Sequence, residues 1–284
     1  MGLAKEDIPS LAKNREIALP LVFTEEAIIE GYDIFLGPGI VSFVCSRAPD
    51  KNRSNEDALL ICPCGKNSCV VAVADGVGGG RAGHKASALA VQSMEESLQK
   101  AGLDETDLRG RILDGFELAN EKILELGIGA ATTMSVVEVN QNILRSYHAG
   151  DSETLVVGQK GKLKFQSVSH SPVGAGVEHG FIDEKDAIKH EERHIVSNVL
   201  GSTDMRIELS SSIELDPKDS VLVASDGLTD NLTVDEIVET IRSGPLDEST
   251  RALHKTAQER MEKPRGSLPS KPDDFTAVLF RLAS

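Results

Sequence analysis

The run VVAVADGVGGGRAG, from Val70 to Gly83, constrains the chain more than any other stretch. Five apolar residues, Val70 to Ala74, lead straight into Asp75, and glycines follow at positions 76, 78, 79, 80 and 83. An apolar run without alternation is the pattern of a strand covered on both faces, so a layer must pack on each side of it. Asp75 at the strand's end is held rigidly and can still face a cleft. The glycines let the backbone come close to whatever Asp75 holds. Taken alone, the stretch suits a phosphate-cradling loop, a metal site or a tight turn before a helix. A nucleotide loop is disfavoured, because no Lys-Ser/Thr pair follows the glycines.

The flanking segments indicate the layers. Residues 1–36 carry weak periodicity and two prolines, and read as an N-terminal extension in which TEEAIIEGY is a short helix capped by Thr24. GPGIVSFVC, 37–45, is the first strand, and a second runs from Ala58 to Cys62. After Gly83, Ala86, Leu89, Ala90, Met94 and Leu98 repeat at helical spacing. A second helix, capped by Asp104 or Thr106, aligns Leu108, Ile112, Phe116, Ala119 and Ile123, and Gly127 and Gly129 stop it. ATTMSVVEV, ILRSYHAG and TLVVGQKGKLKF read as antiparallel strands turning at Asn140-Gln141 and Lys160-Gly161. FIDEKDAIKHEE is a short helical excursion. The strand pattern resumes at SSIELDPKDSVLVASDGLTDN, then Thr233 with Glu236 forms a capping box. A helix covers about Leu246 to Met261, and DDFTAVLFRL is the last strand. Strands grouped around helix pairs predict α+β: two antiparallel β-sheets packed as a central sandwich flanked by helix pairs. The domain reading is an extension over 1–36 and one domain over 37–284.

Thirty Lys+Arg against 45 Asp+Glu leave a net charge of −15, which argues against nucleic acid or an anionic membrane as partner. An acidic protein can still act on phosphate if metal ions reverse the local sign. No apolar run reaches the roughly 20 residues of a membrane helix, and no signal peptide is evident, so a cytoplasmic location is expected. Cys62, Cys64 and Cys69 cluster in CPCGKNSC, with Cys45 apart. Their spacing lacks the paired C-x2-C of zinc sites, which favours reduced thiols on a hairpin over a zinc knuckle or regulatory disulfide.

Carboxylates recur in one context, at the end of or beside an apolar strand: Glu56-Asp57, Asp75, Asp226, Asp273-Asp274 and, in HAGD, Asp151. Each alone is an ordinary turn or cap residue. Together they call for hard divalent cations, because buried carboxylates without cationic partners are costly and oxygen donors suit Mg²⁺ or Mn²⁺. With these stretches in view, the chain resembles the type-2C (PPM) metal-dependent serine/threonine protein phosphatases of bacterial style. The stretches that carry the resemblance, in family order, are RSNEDALL, VADGVGG, ATTMSVV, HAGDSETLVV, SHSPVG, NVLGS, ASDGLTDN and DDFTAVLF, within residues 40–281.

The resemblance implies a metal-dependent hydrolase of phosphoserine and phosphothreonine in proteins, opposing a Ser/Thr kinase in signalling. It implies two Mg²⁺ or Mn²⁺ ions, with a third in bacterial relatives. On that pattern Asp75 bridges two ions and the Gly76 carbonyl binds one of them. Asp226 and Asp273 complete one ion's ligands, and Glu56 helps hold the other. Asp57 and Asp230 hold metal-bound water, and Asp151 with Asp226 matches the third-ion position. A metal-bridging hydroxide would attack phosphorus in line, the ions lowering the water's pKa and binding phosphoryl oxygens. Residues 176–196 correspond to a flap beside the site. Two other readings are a non-catalytic phosphoprotein-binding relative and a small-molecule phosphoesterase on the same scaffold.

The chain departs from the pattern at several positions. Asn52 stands where the family has its phosphate-binding Arg, which leaves Arg53 for the role, with Arg47 or Lys51 as substitutes. Val77 stands where some members have a proton-donating His, with His84 as an alternative. Ala131, Glu153 and Ser169 also differ from the family residues. None of these changes removes an implied metal ligand.

Overall fold

The computed structural model describes residues 15–49, 52–77, 82–99, 107–187, 190, 192, 195–264, 266 and 268–283. Two sheets stack face to face, and every strand pairing in them is antiparallel. One sheet contains β1 (Leu21–Thr24), β4 (Asp57–Pro63), β5 (Ser68–Val77), β7 (Met134–Asn140), β8 (Ile143–Ala149) and β11 (Glu208–Leu209), in that spatial order. The short strands β6 (Ala131–Thr132) and β12 (Ile213–Glu214) attach to β5 and β8. The other sheet runs β10 (Leu163–Gln166), β9 (Glu153–Val157), β13 (Ser220–Ala224), β14 (Phe275–Leu282), β3 (Gly39–Ser46) and β2 (Ile28–Leu36).

Three apolar layers follow from the strand pattern. Between the sheets lie Phe43, Leu59, Ile61, Val71, Val73, Val137, Val223 and Val278. Their alternate neighbours, Leu60, Ala72, Ala74 and Val136, face α1 (Gly83–Gln99) and α2 (Leu108–Glu125). On the far side Leu222, Ala224, Ala277 and Leu279 meet α5 (Asp226–Thr229), α6 (Val234–Ile241) and α7 (Leu246–Glu262). β5 is therefore covered on both faces, as its unbroken apolar run requires. The helix stripes read from the sequence are buried: Ala86, Ala90, Met94 and Leu98 on α1, and Leu108, Ile112, Phe116, Ala119 and Ile123 on α2. Leu89 is half-buried. Asp104 and Thr106, the two expected caps of α2, lie outside the described residues, and Asp107 precedes the helix. Gly127 and Gly129 take φ of 62° and 68°, which ends it. The Thr233–Glu236 capping box at the start of α6 is present in both directions.

The sequence reading of the N-terminal region is corrected. TEEAIIEGY is not a helix: Ile28–Leu36 is β2, paired with β3, and Leu21–Thr24 is β1, paired with β4. Residues 21–36 therefore build the edges of both sheets, and the boundary at 36/37 falls inside the β2–β3 hairpin. The alternation that marks a strand is hidden by a register shift between Gly31 and Ile34, where Asp33 adopts φ 50°. The excursion after β10 consists of α3 (Pro172–Glu178) and α4 (Glu184–Ala187). All four cysteines are buried free thiols. Cys62 and Cys64 face the α1–α2 layer while Cys69 and Cys45 face the inter-sheet core, so no zinc knuckle forms.

Candidate metal centre

The strand ends that carry carboxylates meet at one end of the sandwich. β4 and β5 are registered so that Asp57 stands opposite Asp75, and the Gly76 N–H donates to the Glu56 carbonyl at 3.1 Å. Ser225 alone separates the end of β13 from Asp226, and its partner β14 begins directly after Asp273-Asp274. The result is a cavity of about 320 Å³ whose wall includes Arg53, Glu56, Asp75, Gly76, Asp151, Asp226 and Asp273. Every residue implied as a metal ligand is in that wall. Asp57 and Asp230 are buried.

Hydrogen bonds fix these groups from behind. Thr132 Oγ1 and the Thr133 N–H both donate to the Asp75 carbonyl, at 2.7 and 2.8 Å, and the Asp75 N–H donates to Thr133 Oγ1 at 3.2 Å. Asp57 Oδ2 accepts from Ser225 Oγ at 2.7 Å, and its N–H donates to Asn55 Oδ1 at 3.0 Å. Asp274 is a structural bracket: its carboxylate accepts the N–H groups of Ala48 (2.8 Å) and Glu56 (2.6 Å), joining the end of β3 to the start of β4. The glycines are needed for approach. A Cβ at Gly76 would lie 2.4 Å from Gly83 backbone atoms. A Cβ at Gly83 would lie 2.7 Å from Glu56 Oε1 and 2.9 Å from the Gly76 carbonyl oxygen, so those two oxygens face one small space.

The electrostatics are those of an acidic cluster short of cations. Burial and the neighbouring carboxylates of Asp57, Asp226, Asp273 and Asp151 push the Asp75 carboxyl well above its ordinary range. Burial, with Asp226 and Asp230, pushes Asp151 up to about 8. Burial, with Asp230 and Asp273, pushes Asp226 up to about 6, against the opposing pull of Lys271. Asp57 is raised by burial and by Asp274. Asp57 Oδ1 and Asp226 Oδ1 are buried with no hydrogen-bond donor among the described residues. Such atoms are costly unless a cation or donor meets them. An all-oxygen set of carboxylates and a backbone carbonyl fits a hard divalent ion.

Two cationic side chains also line the cavity, Arg53 and Lys271. Arg53 Nη2 stands 3.9 Å from Glu56 Oε2 and its side chain is largely exposed. Arg47 is turned to the Arg53 backbone, its Nη1 donating to that carbonyl at 3.3 Å, and Lys51 lies outside the described residues. His84 is not among the lining residues, and Val77, with no proton to give, is. Sequence reasoning missed Lys271, Asp274 and the part played by Thr132 and Thr133. Lys271 sits in a loop rich in Pro, Gly and Ser, where a lone lysine carries no periodic signal.

The protein phosphatase 2C family model matches residues 47–264. The match stops short of Lys271 and Asp273. The serine/threonine phosphatase stp of Listeria monocytogenes serovar 1/2a is 30% identical over 199 residues, 66% of this chain and 78% of its own length. The solved serine/threonine phosphatase of S. agalactiae superposes with a TM-score of 0.73 at 26% identity, over 86% of this chain and 99% of its own. The fold is also that of the catalytic domain of the serine/threonine protein phosphatase PstP, solved in complex with two manganese ions (TM-score 0.70, 23% identity, 86% and 98% coverage).

Proposed function

The chain belongs to the protein phosphatase 2C family, and from that premise we propose that the carboxylate-lined cavity is where it works as a serine/threonine phosphatase. The enzyme hydrolyses phosphoserine and phosphothreonine in proteins and depends on divalent metal. A non-catalytic binding role and a small-molecule phosphoesterase are not favoured, because its relatives are named as protein phosphatases. The observation that carries the site assignment is the convergence of Glu56, Asp75, Asp151, Asp226 and Asp273 on one cavity, together with the donorless oxygens of Asp57 and Asp226.

In this reading Asp75, Glu56 and the Gly76 carbonyl would hold one divalent ion, and Asp75, Asp226 and Asp273 would hold a second. Asp151 with Asp226 offers a third position. Mg²⁺ or Mn²⁺ bound there would supply charge for the phosphoryl oxygens and a water of lowered pKa. The chain's own contribution is positioning. Thr132 and Thr133 lock the Asp75 backbone, and Asp274 locks Glu56. Asp57 and Asp230 stand behind the ligands as acceptors for ordered water. The Arg53 guanidinium, at the rim, orients the phosphate by charge-assisted hydrogen bonds. Val77 donates no proton, so the chain offers no acid at that point for the departing Ser or Thr oxygen. The flap, about 176–196, takes in the end of α3 and α4, and Val196 reaches the cavity wall.

The expected partners are phosphorylated proteins and an opposing Ser/Thr kinase, in a cytoplasmic signalling role. Four buried free thiols support a reducing compartment, and among the described residues no helix is long and apolar enough to cross a membrane. The test is release of phosphate from a phosphothreonine peptide with Mn²⁺, with chelator, and by Asp75→Asn. Turnover that survives both chelator and Asp75→Asn would refute the site.

A further inference from the structure

One cation already sits among the carboxylates. Lys271 Nζ is 2.7 Å from Asp226 Oδ2, 2.8 Å from Asp230 Oδ2 and 3.0 Å from Asp273 Oδ2. The ammonium donates a charge-assisted hydrogen bond to Asp226 Oδ2 and is ion-paired with the other two carboxylates. The placement is built into the backbone. Asn231 Nδ2 donates to the Lys271 carbonyl, and the Lys271 N–H donates to Asn231 Oδ1, both at 2.9 Å. Asn231 is itself buried, tied to the Gly227 carbonyl at 2.9 Å and to Arg260 through its own carbonyl. Pro272 follows with its fixed φ. The lysine stem therefore leaves a fixed point and ends on the two aspartates read above as ligands of one ion.

The other half of the cluster is different. Beside Asp75 and Glu56 the cavity wall carries Arg53, whose Nη2 stands 3.9 Å from Glu56 Oε2 on a largely exposed side chain, a looser contact than that of Lys271. An ion arriving at Asp75 meets carboxylates faced by a largely exposed guanidinium at the rim. An ion arriving between Asp226 and Asp273 meets oxygens already bonded to an ammonium. We propose that Lys271 is a resident counter-cation that a divalent ion must displace from Asp226 and Asp273, so that the two halves of the centre load metal in order, the Asp75–Glu56 side first and tightly, the Asp226–Asp273 side second and weakly. Lys271 thus sets the metal concentration at which the centre becomes complete. This rests on the reading of Asp226 and Asp273 as metal ligands.

The experiment is a Mn²⁺ titration of the full-length, metal-free protein, followed by calorimetry and by the electron paramagnetic resonance signal of free Mn²⁺. Wild type is expected to show two classes of site at least about tenfold apart, the order of effect of one charge-assisted bond. Lys271→Met keeps the aliphatic stem and removes the charge. It is expected to tighten the weaker class by about tenfold or more and leave the tighter class within roughly twofold. Lys271→Arg keeps the charge and is expected to keep the two classes apart. Circular dichroism of the metal-free variants checks that each is folded, and the arginine variant decides the matter if the methionine variant is not. A weaker class unchanged or weakened in Lys271→Met, or merged with the tighter one in Lys271→Arg, overturns the proposal and leaves the metal centre standing. Wild type that binds no Mn²⁺ overturns both.

Discussion

Two polar clusters lie side by side in this molecule, and the HAGD segment feeds both: His148 to one, Asp151 to the other. By residue type the first is the better transition-metal set, since His148, His170 and Glu208 bring ligand atoms within 4.8 Å of one another. Its hydrogen bonds say otherwise. His148 Nε2 donates to the Val168 carbonyl at 2.8 Å. His170 Nδ1 accepts from the Gly150 N–H at 3.0 Å and from Asn198 Nδ2 at 2.9 Å. The Asn198 amide cannot be reversed, because it also accepts the Arg206 N–H and donates to the Arg206 carbonyl. The His170 proton is therefore on Nε2, where it reaches Glu208 Oε2 at 2.9 Å. A metal there would have to expel that proton while two donors hold the other nitrogen. The carboxylate cluster is the reverse case: unremarkable residue types, too few cations and buried oxygens without donors. Unsatisfied valence, more than ligand identity, marks the proposed metal centre.

The strongest way to break this contrast is at Asp75. Asp75→Asn removes the charge shared by both ion positions, and the Mn²⁺-dependent kcat on a phosphopeptide is expected to fall by about a thousandfold or more. A fall of less than about tenfold would mean that the acidic cluster is structural. Next in size is Arg53, the rim cation. Arg53→Ala is expected to lower kcat/KM by roughly ten- to a hundredfold while the number of bound Mn²⁺ ions stays the same, since a charge-assisted phosphate contact is lost but no metal ligand is. Unchanged kinetics would transfer the phosphate contact to another group.

The third probe is pH, applied to the metal-free protein. Folded-state pKa values of about 6 for Asp226 and about 8 for Asp151 lie above the ordinary carboxylate value. Groups raised in this way stabilise the fold while protonated. Their contribution is complete below about pH 4, the ordinary value, and is lost as pH rises through 6 and then 8. The metal-free protein is therefore expected to melt roughly 5 °C or more lower at pH 8.5 than at pH 5.5, and Mn²⁺ should abolish the difference by meeting the carboxylates. A flat or rising metal-free Tm over that range would show that these groups titrate normally and that the cluster is not short of cations.

The same contrast explains what the sequence could tell. Strand-end carboxylates are legible because each follows or precedes a run of apolar residues, as Asp75 follows Val70–Ala74 and Asp226 follows β13. The helix stripes of α1 and α2 and the Thr233 capping box are local patterns that the tertiary structure keeps. Lys271 is invisible for the opposite reason: its meaning depends on Asn231 clamping its backbone and on Asp226 and Asp230 of the α5 turn, some forty residues away in sequence. Residues 21–36 misled because two glutamates and a run of isoleucines mimic a helix start. Pairing with β3, a contact across a hairpin, outweighs that propensity, and the irregularity at Asp33 hides the period-two alternation. Asp274 reads like its neighbour Asp273 in sequence, yet its carboxylate accepts two backbone N–H groups.

The smallest effect is expected at the histidine cluster. Glu208 is half-exposed, and its bond to His170 Nε2 is one surface-side contact of a ring that two other donors already hold. Glu208→Gln keeps an acceptor oxygen for that N–H, so the variant should lose less than about 1 kcal/mol, equivalent to a Tm drop of roughly 2–4 °C at most in a chain of this size. The His148 ring stacks on His170 with centroids 4.4 Å apart and is held below its usual pKa by burial, so the stack stays packed without the glutamate's charge. Calorimetric titration should give the same number of bound Mn²⁺ ions in Glu208→Gln as in wild type, and a Zn²⁺ titration should show no site that the substitution removes. One ion fewer in the variant would make the satisfied cluster a metal site after all, and would replace unsatisfied valence with ligand identity as the rule for finding such centres in this fold.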